Sequence, residues 1–377
     1  MPSSRILFIT FILLVLSSVS ARDMDIPATQ ISFNEVGTII DDGSATFMNT
    51  AIERQLATFR RNRLRGNLNI DGQTIPMTIL EDTMKQFKML YNRYVTCKTS
   101  QGSHCLDQFN ESLKNDFNWY KPKVSGQTSA HYTGYYSPTF PASRTKSGDY
   151  KYGLYGMPSR SGDRILTRNE ILFDEALEGK GLELFYMDDP FELFLLHVEG
   201  GGVVEIVENG VPKRIFLSYA GTNGQSFSFI GGYMKSRGYI SDTSIKSQRA
   251  FLKNNPDKWQ EIYGQTPSYV YMKVTKTEPL GMENIPLTPG RSMAQDRHIF
   301  WRKGLMGFVR ATIPDFSRRG DPRAKTGLNR FFIDQDTGGA IRGEARADLY
   351  WGYGAKAQFL AETMDDHGKM FFFIKKN

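Results

Sequence analysis

An α+β fold in which strands predominate, with more than one sheet or barrel, is predicted by the order of hydrophobic patterns along the chain. Apolar residues first recur at helical spacing; from about His131 short alternating runs with glycine turns take over. A second region of that kind follows a helical stretch at 244–264. With 377 residues, 40% of them hydrophobic and 13% aromatic, the chain can bury a sizeable core and divide into one to three domains.

The elements follow in order. Residues 1–21, MPSSRILFITFILLVLSSVSA, combine one Arg, an apolar run from Ile6 to Leu16 and the small triplet Val19-Ser20-Ala21. This is the pattern of a secretory signal peptide cut after Ala21. The run is short of the roughly 20 residues that a spanning helix needs, although an uncleaved anchor is the alternative. No cysteine near the cleavage point offers a lipid acceptor, so a periplasmic or secreted protein is expected. Residues 22–45 are polar and irregular and read as a loosely held leader. Met48, Ile52, Leu56 and Phe59 define one face of a helix within 46–64, and 78–95 and ESLKNDFNWY predict two more. The two cysteines, Cys97 and Cys105, have seven residues between them. In an exported chain they read as one structural disulfide; C-x-x-C redox spacing and a full zinc ligand set are both missing.

Strands are predicted in HYTGYYSPTF, DYKYGLYGM and ELFLLHVEGGGVVEIV. Helix returns over 244–264 with Ser244 as N-cap, followed by strands in PSYVYMKV, FVRATI, RFFIDQD and ADLYW. AKAQFLAETM reads as a helix with Ala357, Leu360, Ala361 and Met364 on one face, and MFFFIKK as a final buried strand.

The net charge of +7 suits an anionic polymer or an envelope surface, but Lys and Arg are dispersed, which argues against nucleic acid. His104, His131, His197, His298 and His367 lie far apart with no metal-ligand spacing, so no metal is expected; His197 reads as a half-buried strand residue. A G-x-S-x-G elbow and a phosphate loop are absent.

Residues 333–352, IDQDTGGAIRGEARADLYWG, hold the most suggestive carboxylates. Asp336-Thr337-Gly338 is the triplet of aspartic proteases, which need two such triplets sharing one proton, and the chain has no second. Asp348 has apolar neighbours that would keep a carboxyl protonated, as a general acid requires. Equally, Asp336 could cap a turn and Asp348 end a strand; spacing alone leaves both readings open. The tyrosines of 132–156 fit a sugar-binding groove as well as the rim of an ordinary β-core.

Five segments taken together are more specific: TGYYSPTFPASRTKSGDYKYGLYGMP (133–158), DDPFELFLLHVEGGG (188–202), YAGTNGQSFSFIGGYMKSRG (219–238), IPLTPGRSMAQD (285–296) and DQDTGGAIRGEARADLYWGYG (334–354). In content and order they resemble the MltA family of lytic murein transglycosylases, whose C-terminal segment is the three-aspartate or 3D domain. The resemblance implies a mainly β (α+β) architecture: a double-psi β-barrel over 46–130 and 265–377, a second β-rich domain with a connecting helix inserted at 131–264, and a groove between them.

It further implies cleavage of the MurNAc-β-1,4-GlcNAc bond of peptidoglycan glycan strands, with 1,6-anhydromuramoyl ends. The enzyme would be a monomer with no metal or cofactor. Asp348 matches the catalytic acid, Asp336 and Asp296 its supporting aspartates. Tyr135, Tyr136, Tyr155, Glu199, Gly200, Gly201, Tyr219, Asn223 and Arg342 are the candidate substrate-binding residues. One carboxyl suffices because the substrate's own C6 hydroxyl is the nucleophile, whereas an ordinary glycosidase needs two. A muramidase-type hydrolase using Asp348 with Asp336, and a non-catalytic peptidoglycan-binding protein, are the alternatives. The chain departs from the family pattern at Ser137, at Glu199-Gly200-Gly201-Gly202 and at Ile299-Phe300-Trp301-Arg302.

Overall fold

The computed structural model describes residues 22–377 apart from 102, 124–128, 277–279, 322, 339–340 and 377. The proposed signal peptide lies outside the described residues. The N-terminal part contains β1 (Met24–Ile26), β2 (Ala28–Ile31), α1 (Phe33–Val36), α2 (Ala45–Arg61), β3 (Asn67–Ile70), β4 (Gln73–Pro76), α3 (Ile79–Gln101), α4 (Ser103–Asp116), β5 (Phe117–Pro122) and β6 (Ala130–Tyr135). Next come β7 (Thr139–Ser143), β8 (Tyr152–Tyr155), α5 (Ser161–Arg164), α6 (Arg168–Leu172), β9 (Glu183–Met187), α7 (Pro190–Glu199), β10 (Gly201–Glu208) and β11 (Val211–Thr222). After α8 (Ile230–Ser236), α9 (Ile245–Asn254), α10 (Trp259–Tyr263) and β12 (Val270–Thr275) the chain enters β13 (Ser292–Gln295), β14 (Met306–Pro314), β15 (Lys325–Asp336), β16 (Arg346–Tyr350), α11 (Ala355–Thr363) and β17 (Asp365–Lys375).

Among the described residues three sheets form, the smallest in the order β1-β3-β4. Strands β14, β15, β13, β16, β6 and β17 are hydrogen-bonded in that order, and a β14–β17 pairing closes the ring into a barrel, with β5 and β2 extending it. The remaining sheet, in the order β12-β11-β10-β7-β9-β8, belongs to the insert. Strand β6 thus belongs to the barrel and β12 to the insert. The chain crosses between them after Tyr135 and again after Thr275, later than the expected boundaries at 131 and 264.

The aliphatic and aromatic face of α2 (Met48, Ile52, Leu56, Phe59) is buried as its spacing predicts, and the Ser44 hydroxyl caps the helix by accepting from Phe47 N. Helix α3 packs against β14 and β17, and its Phe87 ring meets Phe331 edge-on at 4.7 Å between centroids. Cys97 and Cys105 form the expected disulfide, Cα to Cα 5.7 Å, tying α3 to α4. On the loop-entropy account it stabilises by about 2.5 kcal/mol.

Three expectations are corrected. The leader 22–45 is not loose: β1 pairs in parallel with β3, and β2 pairs with β5. Asp41 is buried there in a two-pronged ion pair with Arg291, at 2.8 and 2.6 Å, and accepts from the Tyr91 hydroxyl. The third helix stops at Asp116, and Phe117–Tyr120 belongs to β5 because its aromatic side chains pack on β17. ELFLLHV is helical, not strand. Asp189 caps α7 by accepting from Phe191 N, Pro190 sits in the first turn, and Gly200 ends the helix at φ 68°. His197 is therefore a fully buried helix residue whose Nδ1 meets the Arg168 guanidinium at 3.0 Å; burial holds its imidazole well below the usual range.

Candidate active site

A cleft of about 570 Å³ lies where the barrel meets the insert. Its floor is a row of residues opposite one another on neighbouring barrel strands. Asp336 on β15 faces Ala294 on β13, Ala294 faces Asp348 on β16, and Asp348 faces Thr133 on β6. At the usual strand spacing the Asp336 and Asp348 backbones stand roughly 10 Å apart.

A β-bulge puts Asp336 in this row. The β13–β15 register slips between Met293 and Ala294, so Met293 faces Asp334 but Ala294 faces Asp336. The extra residue, Gln335, turns the two aspartates of Asp-Gln-Asp to opposite faces of the sheet. Asp334 points inward and is fully buried against Lys303 Nζ at 3.0 and 3.1 Å. Burial pushes its carboxyl up to about 7, against the opposing pull of Lys303. Asp336 points into the cleft; Tyr135 Oη donates to its Oδ2 at 2.9 Å and Thr337 N to its Oδ1 at 2.8 Å. Burial raises the Asp336 carboxyl too, and these two donors and Lys303 oppose the rise.

The apolar neighbours of Asp348 do not surround its carboxyl. Successive strand residues face opposite sides, so Ala347 and Leu349 are buried in the barrel core while Arg346, Asp348 and Tyr350 share the other face. The Asp348 carboxyl instead meets Thr133 Oγ1 and Arg346 Nη1, each at 2.5 Å from Oδ1. Beside it the Tyr135 and Tyr350 rings lie 5.2 Å apart, and Tyr350 Oη bonds Ser137 Oγ at 2.8 Å.

The insert supplies the opposite wall through Glu199, Gly200, Gly201, Leu217, Tyr219 and Lys273. A side chain at Gly201 would come within 2.9 Å of Leu217 O, so the close strand contact there needs glycine.

Of the residues singled out from sequence, Asp348, Asp336, Tyr135, Tyr136, Glu199, Gly200, Gly201 and Tyr219 all line this cleft. Four do not. Tyr155 is buried in the core of the insert, with its hydroxyl on Glu178. Asn223 is buried and ties loops together, donating to Leu166 O and Pro267 O and accepting from Tyr269 N. Arg342 is exposed and bonds the carbonyl of its neighbour Ile341. Asp296 is buried and accepts from His298 N and Gly343 N, clamping the turn after β13 to the loop before β16. Burial opposes ionisation there, but those backbone donors outweigh it and hold the carboxyl below its usual range. Thr133, Arg346, Ala294, Tyr350 and Lys273 were missed. Strand periodicity about Asp348 points to Arg346 and Tyr350; the cross-strand partners Thr133 and Ala294 have no local signal.

Residues 131–273 match the family model of the MltA specific insert domain, and residues 291–373 that of the 3D domain. Membrane-bound lytic murein transglycosylase A of Escherichia coli K12 is 30% identical over 256 residues, which is 67% of each chain. The protein of that name from Vibrio cholerae is 31% identical over 244 residues, 63% of this chain and 64% of that one. The crystal structure of MltA from E. coli superposes with a TM-score of 0.62 at 23% identity, covering 93% of this chain and 95% of that one. A membrane-bound lytic murein transglycosylase from Agrobacterium tumefaciens gives 0.63 at 22% identity, over 92% and 97%. With an insert and a barrel each matched by its own family model, and two thirds of a curated relative aligned, the chain belongs to the family of lytic murein transglycosylase A.

Proposed function

We infer that this chain is a lytic transglycosylase that cleaves peptidoglycan between N-acetylmuramic acid and N-acetylglucosamine, and that Asp348 is its acid and then its base. The observation that carries this reading is the unequal state of the two cleft aspartates. Asp336 accepts hydrogen bonds on both oxygens, so it is held in place and poorly free to activate a water. Among the described residues, the Asp348 carboxyl is held through Oδ1 only, by a hydrogen bond from Thr133 and an ion pair with Arg346, and it lines the cleft. One available carboxyl suits a reaction in which the sugar brings its own nucleophile, and it disfavours the two-carboxylate hydrolase. The lining tyrosines offer ring faces and hydroxyls to sugars. A solved structure of E. coli MltA, with a TM-score of 0.60 at 23% identity over 93% of this chain and 95% of that one, holds chitohexaose, which supports a glycan in this cleft. The parallel β13–β15 and β16–β6 pairings fit a double-psi barrel, and a peptidoglycan substrate accords with a location in the cell envelope.

The test is a digest of purified sacculi by wild type and Asp348→Asn, read by mass spectrometry. Wild type should release muropeptides with anhydro ends, one water lighter than hydrolytic products. Asp348→Asn should release none while still binding sacculi. Reducing ends from wild type would favour the hydrolase, and undiminished release by Asp348→Asn would remove the acid from its role.

A further inference from the structure

Among the described residues, the hydrogen bond and the ion pair of the Asp348 carboxyl are both on Oδ1. Thr133 Oγ1 donates to Oδ1, Arg346 Nη1 reaches the same oxygen at 2.5 Å, and Arg346 Nη2 donates to Thr133 Oγ1 at 2.8 Å. Arg346 Nη1 also donates to Ala347 O at 2.9 Å, which fixes the guanidinium against its own strand. The three groups form a closed ring whose geometry the barrel dictates. Arg346 and Asp348 lie two residues apart on one face of β16, and Thr133 faces Asp348 across the β16–β6 ladder. Both ionic side chains are half-buried, with side-chain exposures of 21% and 24%, so bulk water weakens the contact less than at an open surface.

We propose that Arg346 and Thr133 are positioning residues that pin Asp348 by Oδ1 and so assign both proton transfers to Oδ2. This rests on the reading of Asp348 as the acid/base. A proton on Oδ2 passes to the glycosidic oxygen as the C1–O bond breaks. The C6 oxygen of the same muramoyl residue then bonds to C1 and gives its proton back to Oδ2. The carboxyl ends as it began, and no water is consumed. With Oδ1 holding the hydrogen bond from Thr133 and the ion pair with Arg346, rotation of the carboxyl that would exchange the two oxygens breaks both contacts. The oxygen that delivers the proton is therefore the oxygen that collects it.

The experiment compares R346Q, R346K, T133V and the double variant R346Q/T133V on a soluble glycan fragment, with kcat and KM separated and thermal melts in parallel. R346Q and T133V should each lower kcat by roughly tenfold to a hundredfold with little change in KM, the signature of a misplaced catalytic group. R346K, which keeps the charge without the fork, should recover part of the loss. The double variant should lose much less than the product of the single losses, because both residues act on one oxygen. An unchanged kcat in R346Q or T133V, a loss confined to KM, or independent multiplying losses would overturn the proposal. T133V and R346K keep it testable if R346Q folds poorly. Asp348→Asn separates the two levels. If that variant is inactive while R346Q is fully active, only the positioning role fails; if it is fully active, the acid assignment fails and this proposal with it.

Discussion

Asp336 and Asp348 stand in one row across the barrel sheet, separated by a single strand whose residue in that row is Ala294. The small side chain leaves the space between two carboxyls open to a substrate. Any larger residue would project into the middle of the cleft, since Ala294 lines it.

Ala294→Leu should therefore lower release from sacculi at least tenfold and weaken binding, whereas Ala294→Gly should stay within a few fold of wild type. The overpacked variant should lose about 1–3 kcal/mol of stability but remain folded. Co-sedimentation with sacculi and urea unfolding separate these effects; full binding by Ala294→Leu would count against an open cleft floor.

Stability should fall as pH rises from about 4 towards 7, through the carboxyl of Asp334, whose value is pushed from 3.8 up to about 7. The sign follows from proton counting: across that window the native state keeps a proton that the unfolded chain has released, so added alkali favours unfolding. In Asp334→Asn this part of the slope should vanish, as urea midpoints across the pH range would show. Lys303→Met, which leaves a buried carboxyl without its cation, should cost about 3–5 kcal/mol near neutral pH.

Asp41→Ala should destabilise by a similar amount, about 3–5 kcal/mol, by stranding Arg291, which is 1% exposed. The same change should free the N-terminal segment, because Asp41 also accepts from Phe331 N and so fastens it to β15. Limited proteolysis should then cut within 22–45 before the barrel; an unaltered cleavage order would refute this.

Reducing the Cys97–Cys105 bond closes no site and touches no cleft residue, so activity at moderate temperature should persist. The midpoint of unfolding should drop by the equivalent of about 2.5 kcal/mol. A large loss of turnover in Cys97→Ser/Cys105→Ser would reveal a coupling between the helices and the cleft.

Much of this architecture was legible where a segment has one wet face and one dry face. Met48, Ile52, Leu56 and Phe59 announce α2 because its other side faces water. Helix α7 was misread because it has no such side. Leu193 and Leu196 pack into the core of the insert sheet, while Phe191 and Phe194 pack into a second core with the following helices. Its Asp-Pro start and glycine stop were the available signals. In the cleft, Asp348 and Asp336 are singled out by a motif, but the partners that hold them come from distant strands. Thr133 and Asp348 are 215 positions apart, and which residue faces which depends on register. Tyr155 shows the converse: a tyrosine among glycines looks like groove lining, yet its place on β8 turns it inward.

That separation of Thr133 from Asp348 also sets the order in which the cleft can assemble as the chain emerges. The insert lies between β6 and the remaining barrel strands, so its sheet is complete in the emerging chain while β6 still lacks both neighbours, β16 and β17. The cleft has its wall long before its floor. A chain released early, or still being made, would carry the cleft-lining tyrosines without Asp348 beside them, and the cleft is complete only when the last strands arrive.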